Sequence, residues 1–174
     1  MNQQPKTNLE IERKYVIAMP DIAQLALEDS YSSSEIIQIY LRGRAGETHR
    51  VRRRTYDGIS IYTETRKLRI DEMSVAETEG EISEAEFDSL SRDILDGTRP
   101  VRKTRHTFVS GGQLFEIDIY PEWKNTAIME TELPSRETSV AIPDFIRIIR
   151  EVTGDKAYSN ASMSRTFPKE LDYL

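Results

Sequence analysis

Charged side chains recur at a spacing of two along this chain. Glu10, Glu12 and Lys14 are followed by Arg52 and Arg54, Thr65 and Lys67, and Glu77, Glu79 and Glu81. Lys103 and Arg105 come next, then Glu116 and Asp118, and finally Glu130 and Glu132. Residues two apart in a strand point to the same face, so each segment presents its charges on one side. Any one of them alone reads more readily as the solvated face of an ordinary sheet. Together they do not, because acidic and basic doublets are largely segregated by strand, whereas an exposed face mixes signs for cross-strand pairing. Ile11, Tyr15, Ile17, Ile82, Ile117, Ile119 and Leu133 occupy alternate positions and offer an apolar opposite face. If such a sheet closes with its charges inward, the interior is a polar lumen that needs ligand, metal and water, since like charges are not buried unpaired.

Both signs have a use in phosphate chemistry. Lys and Arg neutralise a polyanion, and Arg offers forked contacts to its oxygens. Mg²⁺ and Mn²⁺ are hard cations that prefer carboxylate oxygen, and they can bridge protein carboxylates and phosphate oxygens. Neither a Walker A sequence nor a kinase glycine-rich loop occurs.

Composition narrows the setting. The 174 residues fit one ordinary domain with a real core. A net charge of −6 argues against a general nucleic-acid coat, although 24 Lys and Arg allow a local basic cavity. The run Arg50–Arg54 alternates with Val51 and does not overturn that reading. Absence of cysteine excludes disulfides and thiolate metal sites and fits a reducing cytoplasm. The first residues lack the apolar stretch of a signal peptide, and no membrane-spanning run occurs, so a cytoplasmic protein is expected. His49 and His106 lack partners for a triad or zinc site. His106 is expected to face away from Lys103 and Arg105, while Tyr120 and Trp123 read as packing or rim residues.

Most elements that must position these charges read as strands. Leu9–Ile17, Ile36–Arg42, Thr48–Tyr56, Ile59–Leu68, Val75–Ile82, Val101–Val109, Gln113–Tyr120 and Ala127–Leu133 carry strand patterns. Asp57-Gly58 and Gly111-Gly112 are hairpin signals. Helices are expected from Pro20-Asp21 to about Glu28 and from Ser83, which has capping-box spacing to Glu86, up to Gly97. A third helix is expected after Pro143, with Phe145, Ile146, Ile149 and Val152 on one face, and a short one near Tyr158. The serine-rich stretch 28–35 reads as a loop, and residues 1–8 as a flexible arm before a single domain over 9–174. Hairpin-length turns predict an antiparallel sheet or barrel with a few covering helices.

Glu10-Ile11-Glu12-Arg13-Lys14 resembles the ExExK signature of the CYTH superfamily, also called triphosphate tunnel metalloenzymes. The ordered series after it gives the resemblance its specificity. Gln38-Ile39-Tyr40-Leu41 resembles the strand after the first helix, Arg52 and Arg54 the RxR element, and Thr65-Arg66-Lys67 the TxK element. Glu77-Thr78-Glu79 resembles ExE, Lys103-Thr104-Arg105 KxR, Phe115–Asp118 the ExD strand, and Glu130-Thr131-Glu132 the late ExE. Asp155-Lys156 with Tyr158-Ser159-Asn160 resembles the C-terminal segment, so the likeness runs from Glu10 to about Met163. Two registers stay open: Thr63 could replace Thr65 and leave Lys67 outside, and Arg50 could replace Arg54. The family often has Arg where Ser74 and Val75 stand, and again where Ala157 stands.

The resemblance implies an α+β fold, mainly antiparallel β, built as an eight-stranded closed barrel with a charged lumen. It implies Mg²⁺ or Mn²⁺ held by Glu10, Glu12, Glu130 and Glu132, with Glu77, Glu79, Glu116 and Asp118 as further metal ligands. Lys14, Arg52, Arg54, Lys67, Lys103, Arg105 and Lys156 would grip phosphates, and Glu10, Glu12 and Lys14 would be catalytic. The expected partner is a triphosphate or nucleoside triphosphate, with no nucleic acid and no membrane; assembly stays open between a monomer and a homodimer. Hydrolysis of inorganic tripolyphosphate ranks first, with thiamine triphosphate a further substrate option. Conversion of ATP to cyclic AMP, as in the family's class IV adenylate cyclases, and non-catalytic polyphosphate or nucleotide binding are the alternatives.

Overall fold

Alternation of charged and apolar residues becomes the two faces of a mostly antiparallel, nine-stranded sheet. The computed structural model describes residues 11–69 and 75–172. The strands are β1 (Ile11–Ala18), β2 (Asp29–Leu41), β3 (Glu47–Tyr56), β4 (Ile59–Arg69), β5 (Val75–Ile82), β6 (Val101–Ser110), β7 (Gln113–Ile119), β8 (Thr126–Leu133) and β9 (Ile148–Glu151). Their order is β5-β4-β3-β2-β6-β7-β8-β1-β9. Among the described residues helices are few: α1 (Ile22–Leu25), α2 (Glu84–Leu90), α3 (Asn160–Met163) and two single 3₁₀ turns. Among the described residues, none is long and apolar enough to cross a membrane.

The expected, mainly antiparallel fold is present, with one correction to the strand count. Among the described residues there are nine strands, not eight, and no hydrogen-bonded ladder joins β5 to β9. The ninth strand lies where a helix was expected after Pro143. Its pairs Tyr15↔Glu151, Val16↔Arg150 and Ile17↔Ile148 satisfy the outer edge of β1, and backbone satisfaction outweighs the helical spacing of four apolar residues. The stretch 28–35 is a second correction, because β2 begins at Asp29 and carries the serines as strand.

Contacts divide the chain into two compact units. In the one formed by the described residues of 36–101, Asp57-Gly58 turns β3 into β4 with φ of 47° and 76°. A two-residue hairpin turn of the primed type requires such left-handed values. Ser83 and Glu86 form the expected capping box, Glu86 N donating to Ser83 Oγ at 3.2 Å and Ser83 N to Glu86 Oε2 at 2.7 Å. Ile39, Leu41, Val51 and Phe87 form this unit's core.

The second unit combines 11–35 with 102–172. Asp21 caps α1 by accepting from Ala23 N at 2.9 Å. Its core gathers Tyr15, Ile17, Phe108, Phe115, Ile117, Ala127 and Met129 with Leu25 and Ile146. Every one of the strand residues among these alternates with the charged series, so apolar burial on one face fixes the register that presents charges on the other.

Candidate functional site

Cross-strand pairing assembles the charges of the second unit. Glu12 lies opposite Glu132 and Lys14 opposite Glu130; Glu130 lies opposite Glu116, and Asp118 opposite Arg105. All these side chains share one face of four neighbouring strands. Lys14 Nζ sits 2.9 Å from Glu130 Oε1 and 3.7 Å from Glu12 Oε1. Burial works against the Lys14 charge, but Glu130, Glu12 and Asp118 outweigh it and raise its pKa above the usual lysine range.

Asp118 is the anchor of this face. Lys103 Nζ donates to its Oδ2 at 2.6 Å, and Arg105 donates to Oδ1 at 2.7 Å and Oδ2 at 2.8 Å. Lys103 and Asp118 side chains are 2% and 1% exposed. Burial alone would raise the Asp118 carboxyl, yet Lys103 and Arg105 hold it well below the usual carboxylate range. Burial pulls Lys103 below its usual range against the attraction of Asp118. With two cations on one carboxylate, Asp118 is ionised at neutral pH. Arg105 also bonds Glu116 and reaches Glu130 Oε2 at 3.7 Å. Both Asp118 oxygens are therefore engaged, which makes it a positioning group for Lys103 and Arg105.

Beyond the anchor, Glu12, Glu116, Glu130 and Glu132 line one cleft of about 90 Å³ with Leu114 and Thr131. Four carboxylates against the two cations paired with three of them, Lys14 and Arg105, leave a local excess of two negative charges (4 − 2). Oxygen donors with excess negative charge fit a hard divalent cation. No three acidic or histidine side chains among the described residues are already gathered around one point, so the fit lies in the donor chemistry.

The other unit carries a second charged face. Arg52 lies opposite Thr63 and Arg50 opposite Thr65, while Thr65 pairs with Glu79 and Lys67 with Glu77. Thr65 Oγ1 donates to Glu79 Oε2 at 2.6 Å. Arg50 and Arg52 reach Glu79 at 3.7 and 3.8 Å, and Lys67 lies 3.1 Å from Glu77. Four buried polar side-chain atoms among the described residues lack a hydrogen-bond partner, and Arg50 Nε, Thr63 Oγ1 and Thr107 Oγ1 are three of them. Each lies on a charged face, the first two here and Thr107 opposite Glu116 in the second unit. Buried polar groups are normally satisfied, so these three atoms leave unmet hydrogen-bonding capacity on the charged faces.

The chain matches no protein-family model and no curated protein sequence. Solved structures do match. One, described as the inorganic triphosphatase NE1496, is 27% identical with a TM-score of 0.63, covering 92% of this chain and 97% of its own. A second structure, described as the hypothetical protein NE1496, is also 27% identical, with a TM-score of 0.61 over 91% and 99% of the two chains. These structures support the resemblance to the CYTH superfamily.

Most CYTH elements fall on the charged faces just described. Thr63, Thr65 and Lys67 all share the face of Arg50 and Arg52. Arg50 joins Arg52 over Glu79, while Arg54 lies opposite Ile61, one strand step nearer the hairpin turn. Glu10 and Ser74 lie outside the described residues. Lys156 is exposed in a 3₁₀ turn capped by Asp155, whose side chain accepts from Ala157 N. His106 sits on the opposite face from Arg105 with Tyr31 Oη 3.0 Å from its Nδ1, and Tyr120 and Trp123 pack edge-on within the second unit.

Arg150 was not legible as a site residue in the sequence. It lies opposite Val16, on the Lys14 side of β1, and donates to Tyr158 Oη at 2.7 Å with its guanidinium 5.4 Å from that ring. The helical spacing of residues 145–152 concealed its strand position.

Proposed function

We propose that this protein hydrolyses a terminal phosphoanhydride bond of a triphosphate, inorganic tripolyphosphate first, in a reaction dependent on Mg²⁺ or Mn²⁺. The observation that carries the reading is one cleft lined by four carboxylates, three of which (Glu12, Glu116 and Glu130) pair with Lys14 or Arg105. Overall likeness to a structure described as an inorganic triphosphatase supports it. Water attacks the terminal phosphorus, the anhydride P–O bond breaks, and the leaving oxygen departs with pyrophosphate.

Glu12, Glu116, Glu130 and Glu132 would hold the metal, with Glu10 and the Glu77/Glu79 pair as further ligands, and a bound cation would neutralise developing charge and acidify water. Lys14 holds its proton firmly and serves as a permanent cation beside those carboxylates. Lys103 and Arg105, fixed by Asp118, offer positive charge that needs little reorganisation. Arg50, Arg52, Arg54 and Lys67 offer phosphate contacts from their own face, and Lys156 a further one. Closure of the sheet into a barrel, as the resemblance implies, belongs to this same reading.

Incubation with tripolyphosphate or ATP, with and without Mg²⁺ or Mn²⁺, separates the outcomes. Metal-dependent phosphate release from tripolyphosphate is expected. Cyclic AMP with pyrophosphate from ATP would replace hydrolysis by cyclisation, and tight binding without product would reduce the protein to a binder.

A further inference from the structure

Lys14 is held at its backbone and at its ammonium by one short segment that is distant in sequence. Lys14 N donates to Thr153 Oγ1 at 3.0 Å, and Val152 N donates to Lys14 O at 2.8 Å. Gly154, with φ of 75°, turns the chain back, and Asp155 N closes that turn by donating to Val152 O at 3.0 Å. The returning chain brings the Tyr158 backbone carbonyl to 3.5 Å from Lys14 Nζ, which donates to it. Glu130 and Glu12 lie 2.9 and 3.7 Å from the same ammonium, so Tyr158 supplies a neutral acceptor beside two carboxylates.

A contact of 3.5 Å stands at the outer limit of a hydrogen bond, so it survives only if Tyr158 is held firmly. Arg150 holds it. The guanidinium donates to Tyr158 Oη at 2.7 Å and stands 5.4 Å from the ring centre, within cation–π range. The Tyr158 ring is buried, its centre 6.3 Å from that of Trp123. Arg150 lies opposite Val16, so it shares the Lys14 side of β1. Satisfying a buried tyrosine hydroxyl requires neither that placement nor a tyrosine whose own carbonyl meets the lysine.

We propose that Arg150 and Tyr158 are positioning residues for Lys14. Arg150 fixes the tyrosine through its hydroxyl and ring. The tyrosine carbonyl in turn keeps the lysine ammonium between Glu12 and Glu130, beside the cleft those carboxylates line, where it meets a phosphate oxygen without first being reoriented. The inference rests on the phosphate-binding role of Lys14 in the reading above and adds two residues that act through it.

Isothermal calorimetry with tripolyphosphate tests it on single and paired variants. Tyr158→Phe keeps the ring and every charge, and Arg150→Met keeps the stem of an exposed residue, so both should retain the wild-type circular dichroism spectrum. Each should raise the dissociation constant about two- to tenfold, the worth of one hydrogen bond. The pair together should be no worse than either alone, because they act as one unit. In a Lys14→Ala background neither change should weaken binding further. An equal loss in that background would make Arg150 a direct phosphate contact, and no loss with Lys14 present would make the pair a packing feature; either result overturns the proposal. The side-chain nitrogen resonance of Lys14, followed by NMR, gives a reading that needs no ligand: it should move in both variants, and a resonance unmoved in both overturns the proposal by itself. Failure of wild type to bind tripolyphosphate, or unchanged binding by Lys14→Ala, would instead overturn the triphosphate reading, while the resonance still decides the positioning.

Discussion

Replacing Asp118 by Asn removes one charge and almost no volume, and it should be among the most damaging substitutions in the second unit. Asp118 accepts from Lys103 and twice from Arg105 within 2.6–2.8 Å, and it is 1% exposed. Removing one partner of a buried ion pair costs about 3–5 kcal/mol, because the other charge stays buried without compensation. Lys103 can shed its proton when Asp118 is gone, which favours the lower end of that range. In a chain of this size 1 kcal/mol moves Tm by about 2–4 °C, so the expected fall is about 6–20 °C in thermal denaturation followed by circular dichroism. Adding Lys103→Met to Asp118→Asn should recover part of the loss, since an apolar side chain then replaces an unpaired ammonium. The pH profile gives an independent reading. The folded-state pKa of Asp118 is depressed, so its contribution is fully present above the unfolded value of about 3.9 and is lost as pH falls below it. Wild-type Tm should therefore decline in that acid range more steeply than the Asn variant. A variant Tm within about 2 °C of wild type would refute the buried-anchor reasoning.

Five further substitutions probe separate parts of the account. Lys14→Ala removes the cation bonded to Glu130 and should weaken tripolyphosphate binding about tenfold or more, the worth of one charge-assisted contact, by isothermal calorimetry. Arg50→Ala and Arg52→Ala should each raise KM for tripolyphosphate, whereas Arg53→Ala, on the opposite face opposite Tyr62, should not; an equal effect of all three would mean bulk charge and not facing decides binding. Ser83→Ala breaks the capping box and should cost about 1 kcal/mol, a Tm loss of about 2–4 °C with turnover intact.

Much of the fold was legible because local chemistry and global fold agree. Asp57-Gly58 and Gly111-Gly112 supply left-handed turn residues, and Ser83 with Glu86 is a self-sufficient start signal. Period-two charge opposite buried Ile17, Phe115 and Ile117 made the site faces readable for the same reason. What failed was decided by partners distant in sequence. Ser32–Ser34 have weak strand preference and extend only because β2 has neighbouring strands on both sides in the sheet. Ile148–Glu151 form a strand because β1 offers an edge, not because their spacing asks for one. The Arg50 and Arg52 pairing over Glu79 depends on three strands in register. The anchoring of Lys103 and Arg105 by Asp118 likewise needs β6 beside β7; the doublets named the residues but not which carboxylate each cation had already taken.

Phosphate release from tripolyphosphate, measured for wild type, Glu12→Gln and Glu132→Gln under saturating Mg²⁺ or Mn²⁺, bears most directly on the function. Both residues line the cleft with Glu116 and Glu130. The account predicts metal-dependent release by wild type and none above background from either variant, with Tm unchanged. Full activity in both variants, or release by wild type that ignores metal, would contradict it.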